Sequence, residues 1–261
     1  MSDRMSQELA YFFSGLSFYT RIPCPAWVKY SPENLNKSRK YLPLIGLVIG
    51  VIAASTYYLI HWLLPASVSI ALSIIATVYL TGAFHEDGLA DCADGFGGGW
   101  EKAQILSIMK DSSIGAYGAI SLILLLGLKF ALLWELQQIS DQLLMLALIF
   151  AHSLSRLMSS LTMQFYDYVS EESTSKSKTV TSLKLSTLEV LWSLLPTLFA
   201  LLLTAQFRFI LPAPFLLLLT WFLARSYQRR IGGYTGDCLG ATQQLTESFF
   251  YIVMLALTYS L

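Results

Sequence analysis

Long apolar runs recur along the chain, separated by short polar connections. About 20 apolar residues cross a bilayer as a helix. Runs at 41–64, 68–84, 114–136, 143–161, 188–205, 209–224 and 248–261 therefore predict seven transmembrane spans. Gly46 and Gly50 lie four apart on the first span and predict a face where another helix packs closely. Pro196 predicts a kink in the fifth. The first 40 residues are more polar, but Leu9, Phe12, Phe13, Leu16 and Tyr19 recur at helical spacing, as in an amphipathic helix at the membrane surface. Ser14, Gly15 and Ser17 break that run, which argues against a cleaved signal peptide. Residues 100–111, with Ile105, Ile108 and Met109, predict a second short amphipathic helix. The fold class is all-α: one integral-membrane helix bundle over 1–261, with an interfacial segment at 1–40 and an acidic motif loop at 85–114.

Composition agrees with that class. Of 261 residues, 55% are hydrophobic and 13% charged, and the formal net charge is zero. No basic surface argues for nucleic acid. The placement of the charges orients the chain. Arg4, Arg21, Lys29, Lys37, Arg39 and Lys40 precede the first span, Lys102 and Lys110 follow the second, Lys176, Lys178 and Lys184 follow the fourth, and Arg225, Arg229 and Arg230 follow the sixth. The opposite connections carry only Arg208. Cytoplasmic loops collect Lys and Arg, so the amino terminus is expected inside and the carboxyl terminus outside. Cys24, Cys92 and Cys238 are widely separated and form neither a disulfide framework nor a zinc motif.

The chemistry concentrates at 84–95, Phe-His-Glu-Asp-Gly-Leu-Ala-Asp-Cys-Ala-Asp-Gly. On a helix, Asp87, Asp91 and Asp94 share one face. No basic residue in the stretch balances them, but a hard cation such as Mg²⁺, which takes oxygen ligands and bridges to phosphates, would. The bland alternative is a solvated acidic loop. Gly97 and Gly98 follow, where backbone can approach a ligand. A second polar constellation, 232–241, contains Gly233, Thr235, Gly236 and Asp237, and a third, 110–115, contains Lys110, Asp111 and Ser112. Neither glycine stretch is a Walker A loop, because no Gly-Lys-Ser/Thr follows. Charges inside spans are costly. Lys129 is expected to pair with an acid or carbonyl in the bundle, while Arg156 either reaches out to the interface or faces the site and binds phosphate. Glu135 is expected at the interface, and His61 and His152 as packing or interface residues.

These stretches resemble the cobalamin synthase family, the adenosylcobinamide-GDP ribazoletransferases. The acidic motif carries the likeness, with Thr20-Arg21-Ile22-Pro23, Pro43-Leu44-x-Gly46, Met109-Lys110-Asp111-Ser112, Gly115-Ala116-Tyr117-Gly118 and 233–241 in matching order. The family often has arginine where Ser113 stands. The resemblance implies a bacterial inner-membrane enzyme that uses Mg²⁺, joins α-ribazole or its 5′-phosphate to adenosylcobinamide-GDP and releases GMP. Its partners would be the corrinoid nucleotide, α-ribazole and the lipid bilayer; the oligomeric state is left open. The implied metal ligands are Asp87, Asp91, Asp94 and Asp237. His85, Glu86, Asp94 and Asp111 are catalytic candidates, with the hydroxyl proton going to His85, Glu86 or a metal-bound carboxylate. Gly97, Gly98, Lys110, Ser112, Arg156, Gly233, Thr235 and Gly236 are substrate-binding candidates. A CDP-alcohol phosphotransferase would continue Asp-Gly-x-x with Ala-Arg, where this chain has Asp91. A metal or substrate transporter would place acids near mid-membrane on repeated halves, and no internal repeat is visible.

Overall fold

A computed structural model describes residues 3–169 and 184–260. Lys176 and Lys178, used above for orientation, lie outside them. The described chain is helical throughout: α1 Asp3–Tyr19, α2 Pro32–Lys37, α3 Leu42–His61, α4 Ala66–Thr81, α5 Phe84–Gly98, α6 Lys102–Lys110, α7 Ala116–Ile139, α8 Asp141–Phe165, α9 Thr187–Thr204, α10 Ala213–Ile231 and α11 Gly236–Ser260. Short 3₁₀ turns occupy Ser38–Tyr41 and Phe207–Ile210. One isolated bridge pairs Tyr168 with Tyr234.

Among the described residues, five segments are long and apolar enough to cross a membrane, ending in α3, α7, α8, α9 and α10, and six if α4 and α5 count as one bent span. The seven-span reading differs at the carboxyl terminus. There the last apolar run belongs to α11, whose first half carries Asp237, Gln243, Gln244 and Glu247 and dilutes its apolarity. Ile123, Leu124, Phe199, Leu202, Leu203 and Phe222 stand exposed on α7, α9 and α10. An apolar outer surface of this kind suits lipid rather than water.

Helix α8 is the centre of the bundle: 83% of its most apolar window is buried. Against it lies α3, and the predicted small-residue face makes the contact, since a Cβ on Gly50 would stand 2.6 Å from Ile149 Cα. Gly46 likewise has no room for a side chain against the His152 carbonyl. One apolar cluster joins Tyr57, Leu136, Leu144, Phe150, Phe250 and Tyr251; a second joins Leu16, Tyr19, Ile45, Leu89, Ile105, Met109 and Cys238 around α1, α5, α6 and the start of α11.

The second cluster positions the acidic motif. That motif is helix α5 over most of its length, not a loop. Gly82 and Ala83, at φ 65° and 59°, end α4 in a left-handed turn, and the chain leaves at 87°. Ala83 is a non-glycine residue in that region, which Cβ sterics disfavour. The turn is held by Gly82 N–H donating to the Tyr79 carbonyl, Ala83 N–H to that of Val78 and Arg21 N–H to that of Leu80. If α4 crosses the membrane, α5 turns away from its normal.

Candidate active site

Three elements assemble around α5. The first is α11, which crosses it with glycine facing glycine. A Cβ on Gly88 would lie 3.0 Å from both Cα and the carbonyl oxygen of Asp237, and one on Gly240 would lie 3.0 Å from the His85 carbonyl oxygen. This approach brings Asp237, 150 residues away in sequence, beside the acidic helix. Thr235 caps α11: its hydroxyl accepts from Cys238 N–H at 3.3 Å and donates to Asp237 Oδ2 at 3.2 Å, orienting that carboxylate. Gly233 serves the same approach from below, where a Cβ would strike the Asp167 carbonyl, which accepts from Tyr234 N–H at 3.0 Å.

The second element is the start of α7. Asp94 turns both carboxylate oxygens onto it, accepting from Gly115 N–H at 2.7 Å and Gly118 N–H at 2.9 Å. Asp94 is buried and holds the positive end of α7. Gly115 and Gly118 are small because a Cβ on either would collide with that carboxylate. The third element is α10. Arg230 donates to the Phe96 and Gly99 carbonyls at 2.9 and 2.6 Å, closing the carboxyl end of α5.

Asp87 is exposed and Asp91 half-buried. Burial first, then the carboxylates of Asp237, Asp87 and Asp94, push the Asp91 carboxyl up to about 7. Among the described residues, no ion pair engages Asp87, Asp91, Asp94 or Asp237. Nor do three His, Cys, Asp or Glu side chains already close on one metal-sized point. The donor set is nonetheless oxygen-only, anionic and without a basic counterpart, which fits a hard divalent cation. Asp87, Asp91 and Asp237 are the residues free to close on it.

The other sequence candidates fall in different places. His85 and Glu86 turn inward, opposite the Asp87 face, and both are buried. Glu86 Oε1 accepts from Gln244 at 2.9 Å. Asp111 is exposed in the turn between α6 and α7; the Ser113 N–H donates to it at 2.9 Å and lowers its pKa. Lys110 and Ser112 are exposed beside it. This turn meets the acidic helix only at its end, through Gly115 and Asp94. Gly97 makes room for the Tyr117 ring, which an added Cβ would meet at 2.7 Å, while Gly98 is exposed.

Arg156 does not reach the interface. It is 2% exposed on α8 and lines a cleft with His85, Gly236 and Gly240. Behind it runs a buried polar chain. Lys129 Nζ pairs with Glu247 Oε1 at 2.9 Å and donates to Gln244 Oε1 at 2.8 Å. His152 Nδ1 stands 3.2 Å from Glu247 Oε2, and because a carboxylate only accepts, this nitrogen carries the hydrogen. Gln243 donates to Glu247 Oε2 at 2.6 Å, and Arg156 Nη1 to the His152 carbonyl at 3.0 Å. Lys129 thus finds the acid expected of it, whereas His152 belongs to the polar chain rather than to apolar packing. Gln243 and Gln244 were missed; the available signal was the polar run Thr242-Gln243-Gln244 with Thr246-Glu247, one turn further, entering an apolar helix.

The comparisons with known proteins follow this geometry. The family model described as Cobalamin-5-phosphate synthase matches residues 11–255. A protein of Shewanella woodyi named adenosylcobinamide-GDP ribazoletransferase is 46% identical, over 96% of this chain and 97% of its own. Relatives of the same name from Shewanella frigidimarina and Shewanella amazonensis are each 45% identical, over 97% and 96% of this chain and the same shares of their own. No solved structure matches the chain.

Proposed function

Because the chain belongs to the cobalamin-5-phosphate synthase family, we propose that it is an Mg²⁺-using transferase of the bacterial inner membrane that joins α-ribazole, or its 5′-phosphate, to adenosylcobinamide-GDP and releases GMP. The observation that carries this reading is the crossing of α5 and α11 at Gly88 and Gly240, which gathers carboxylates from two distant segments with no basic partner.

In the reaction, a ribose hydroxyl oxygen forms a bond to the phosphorus next to the corrinoid. The bond from that phosphorus to the GMP oxygen breaks, and the hydroxyl proton leaves. Such displacements depend on positioning and on neutralising phosphate charge. Bound Mg²⁺ would supply that neutralisation. Asp87, Asp91 and Asp237 would hold it. Asp94 keeps α7 docked on α5, so the acidic face keeps its place. His85 and Glu86 face inward, which leaves the hydroxyl proton to a carboxylate on the Asp87 face. The charge pattern of the loops supports a cytoplasmic site, where nucleotides and Mg²⁺ are abundant. Labelling a cysteine placed at Gly98 from the periplasmic side would overturn that orientation.

The test is the purified protein with adenosylcobinamide-GDP and α-ribazole, reading GMP and corrinoid product with and without Mg²⁺. Product formation that stops on chelation supports the proposal. Transport of substrate without GMP release would replace it with the transporter reading.

A further inference from the structure

The cleft beside Arg156 is separate in character from the carboxylate face. It encloses about 470 Å³ where α1, α5, α8 and α11 meet, a volume in the range of small-molecule pockets. Its walls are mostly apolar and aromatic. Phe18, Tyr19 and Phe84 pack edge-on, with the Phe84 ring 5.7 Å from Phe18 and 6.1 Å from Tyr19, and Leu239 closes the α11 side. Two buried polar side chains interrupt the walls, His85 and Arg156. His85 Nδ1 and Arg156 Nε have no hydrogen-bond partner. A buried N–H left unmatched is unfavourable and calls for an acceptor.

A phosphate does not suit this site. Its hydration would be lost against apolar walls, and the Arg156 charge is already set against the buried Glu247. A flat aromatic heterocycle with an acceptor nitrogen in its ring plane suits it better. The walls would cover its faces and edges, and Arg156 Nε–H or His85 would donate to the ring nitrogen. The substituted benzimidazole of α-ribazole has this chemistry, and its methyl groups match the apolar walls.

Resting on the transferase reading above, we propose that the cleft of Phe18, Tyr19, Phe84, Leu239, His85 and Arg156 holds the aromatic base of the acceptor nucleoside. Gly236 and Gly240 form its α11 wall, and Asp237 follows Gly236 directly. The base therefore docks on one side of the α5–α11 crossing while its ribose reaches the carboxylates on the other. Arg156 and Leu239 set which base is accepted.

Equilibrium dialysis of α-ribazole against the intact protein needs no turnover, so it separates this inference from the transferase reading. The wild type binds α-ribazole saturably, and free dimethylbenzimidazole competes. Arg156→Lys keeps the charge but loses the Nε–H; it weakens α-ribazole binding at least tenfold and raises the KM for α-ribazole alone. Leu239→Ala enlarges the cleft and shifts preference toward a bulkier naphthimidazole riboside by at least fivefold, a change that a purely structural role would not produce. If Arg156→Lys raises only the KM for adenosylcobinamide-GDP, the cleft serves the donor and the inference fails. It fails equally if wild-type binding is not competed by the free base, or if both variants bind α-ribazole as the wild type does. An active wild type with such results would leave the transferase reading standing.

Discussion

Lys129 and Glu247 form an ion pair that water barely reaches, with side chains 6% and 1% exposed and 2.9 Å between the charged atoms. Breaking a buried pair from one side strands a charge and costs about 3–5 kcal/mol. The two halves are unequally supported. Without Lys129, Glu247 still has Gln243 at 2.6 Å, His152 at 3.2 Å and the Tyr251 hydroxyl at 3.4 Å. Without the Glu247 charge, Lys129 keeps the Gln244 carbonyl at 2.8 Å. Lys129→Met is therefore expected near the lower end of that range and Glu247→Gln near the upper end. Removing both charges with Lys129→Met and Glu247→Leu strands neither. The double variant should cost at least about 2 kcal/mol less than the two single costs added, because apolar replacement of a buried pair is often close to neutral. Reversible unfolding in mixed detergent micelles, followed by helical circular dichroism, gives the four stabilities of this cycle. Additivity to within about 0.5 kcal/mol, the behaviour of independent sites, would refute the claim that the pair acts as a unit.

The aspartates should separate by role: Asp87→Asn and Asp91→Asn are expected to lower activity at least tenfold at limiting Mg²⁺ with thermal stability nearly unchanged. Asp94→Asn loses one of two charge-assisted bonds to the α7 amides, worth about 1.5–3 kcal/mol each, and should lower the unfolding temperature even without Mg²⁺. Gly88→Ala places a methyl 3.0 Å from the Asp237 backbone; overpacking of this kind costs about 1–3 kcal/mol, and turnover should fall while membrane insertion, read by fractionation, persists. The Asp91 carboxyl, raised to about 7, stays protonated below that pH and must lose its proton to bind a cation. The Mg²⁺ concentration for half-maximal rate should thus rise as pH falls from 8 to 6, approaching tenfold per unit below 7; a flat profile would exclude Asp91 as a ligand.

Local features carried much of this fold into view. The apolar runs located the helices to within a few residues, except where α11 begins twelve residues before its apolar run. The spacing of Gly46 and Gly50 foretold the α3–α8 contact, because small residues four apart make the same groove in any partner. The spacing of Asp87, Asp91 and Asp94 showed a shared face but not what each carboxylate touches. Asp94 is committed to the amides of α7, a partnership that depends on how two helices dock. The sharp turn at Ala83 was hidden because alanine carries no turn signal; its left-handed backbone is held by neighbouring carbonyls. Arg156 was ambiguous for a related reason. Reach alone allows a long side chain to find the interface, and only the packing of α8 at the centre shows that it does not.

Helix α11 carries three different duties on one stiff rod: the Asp237 carboxylate at its start, the polar chain through Gln243, Gln244 and Glu247 in its middle, and an apolar tail. At about 1.5 Å per residue, Glu247 sits roughly 15 Å along the axis from Asp237. A tilt of about 5° pivoting at Glu247 would swing Asp237 by roughly 1.3 Å, when metal–oxygen bonds are only about 2.0–2.1 Å long. The ion pair deep in the bundle is then the fulcrum of a lever whose tip is the reaction centre, so alignment at the membrane surface is governed by residues that no substrate ever meets.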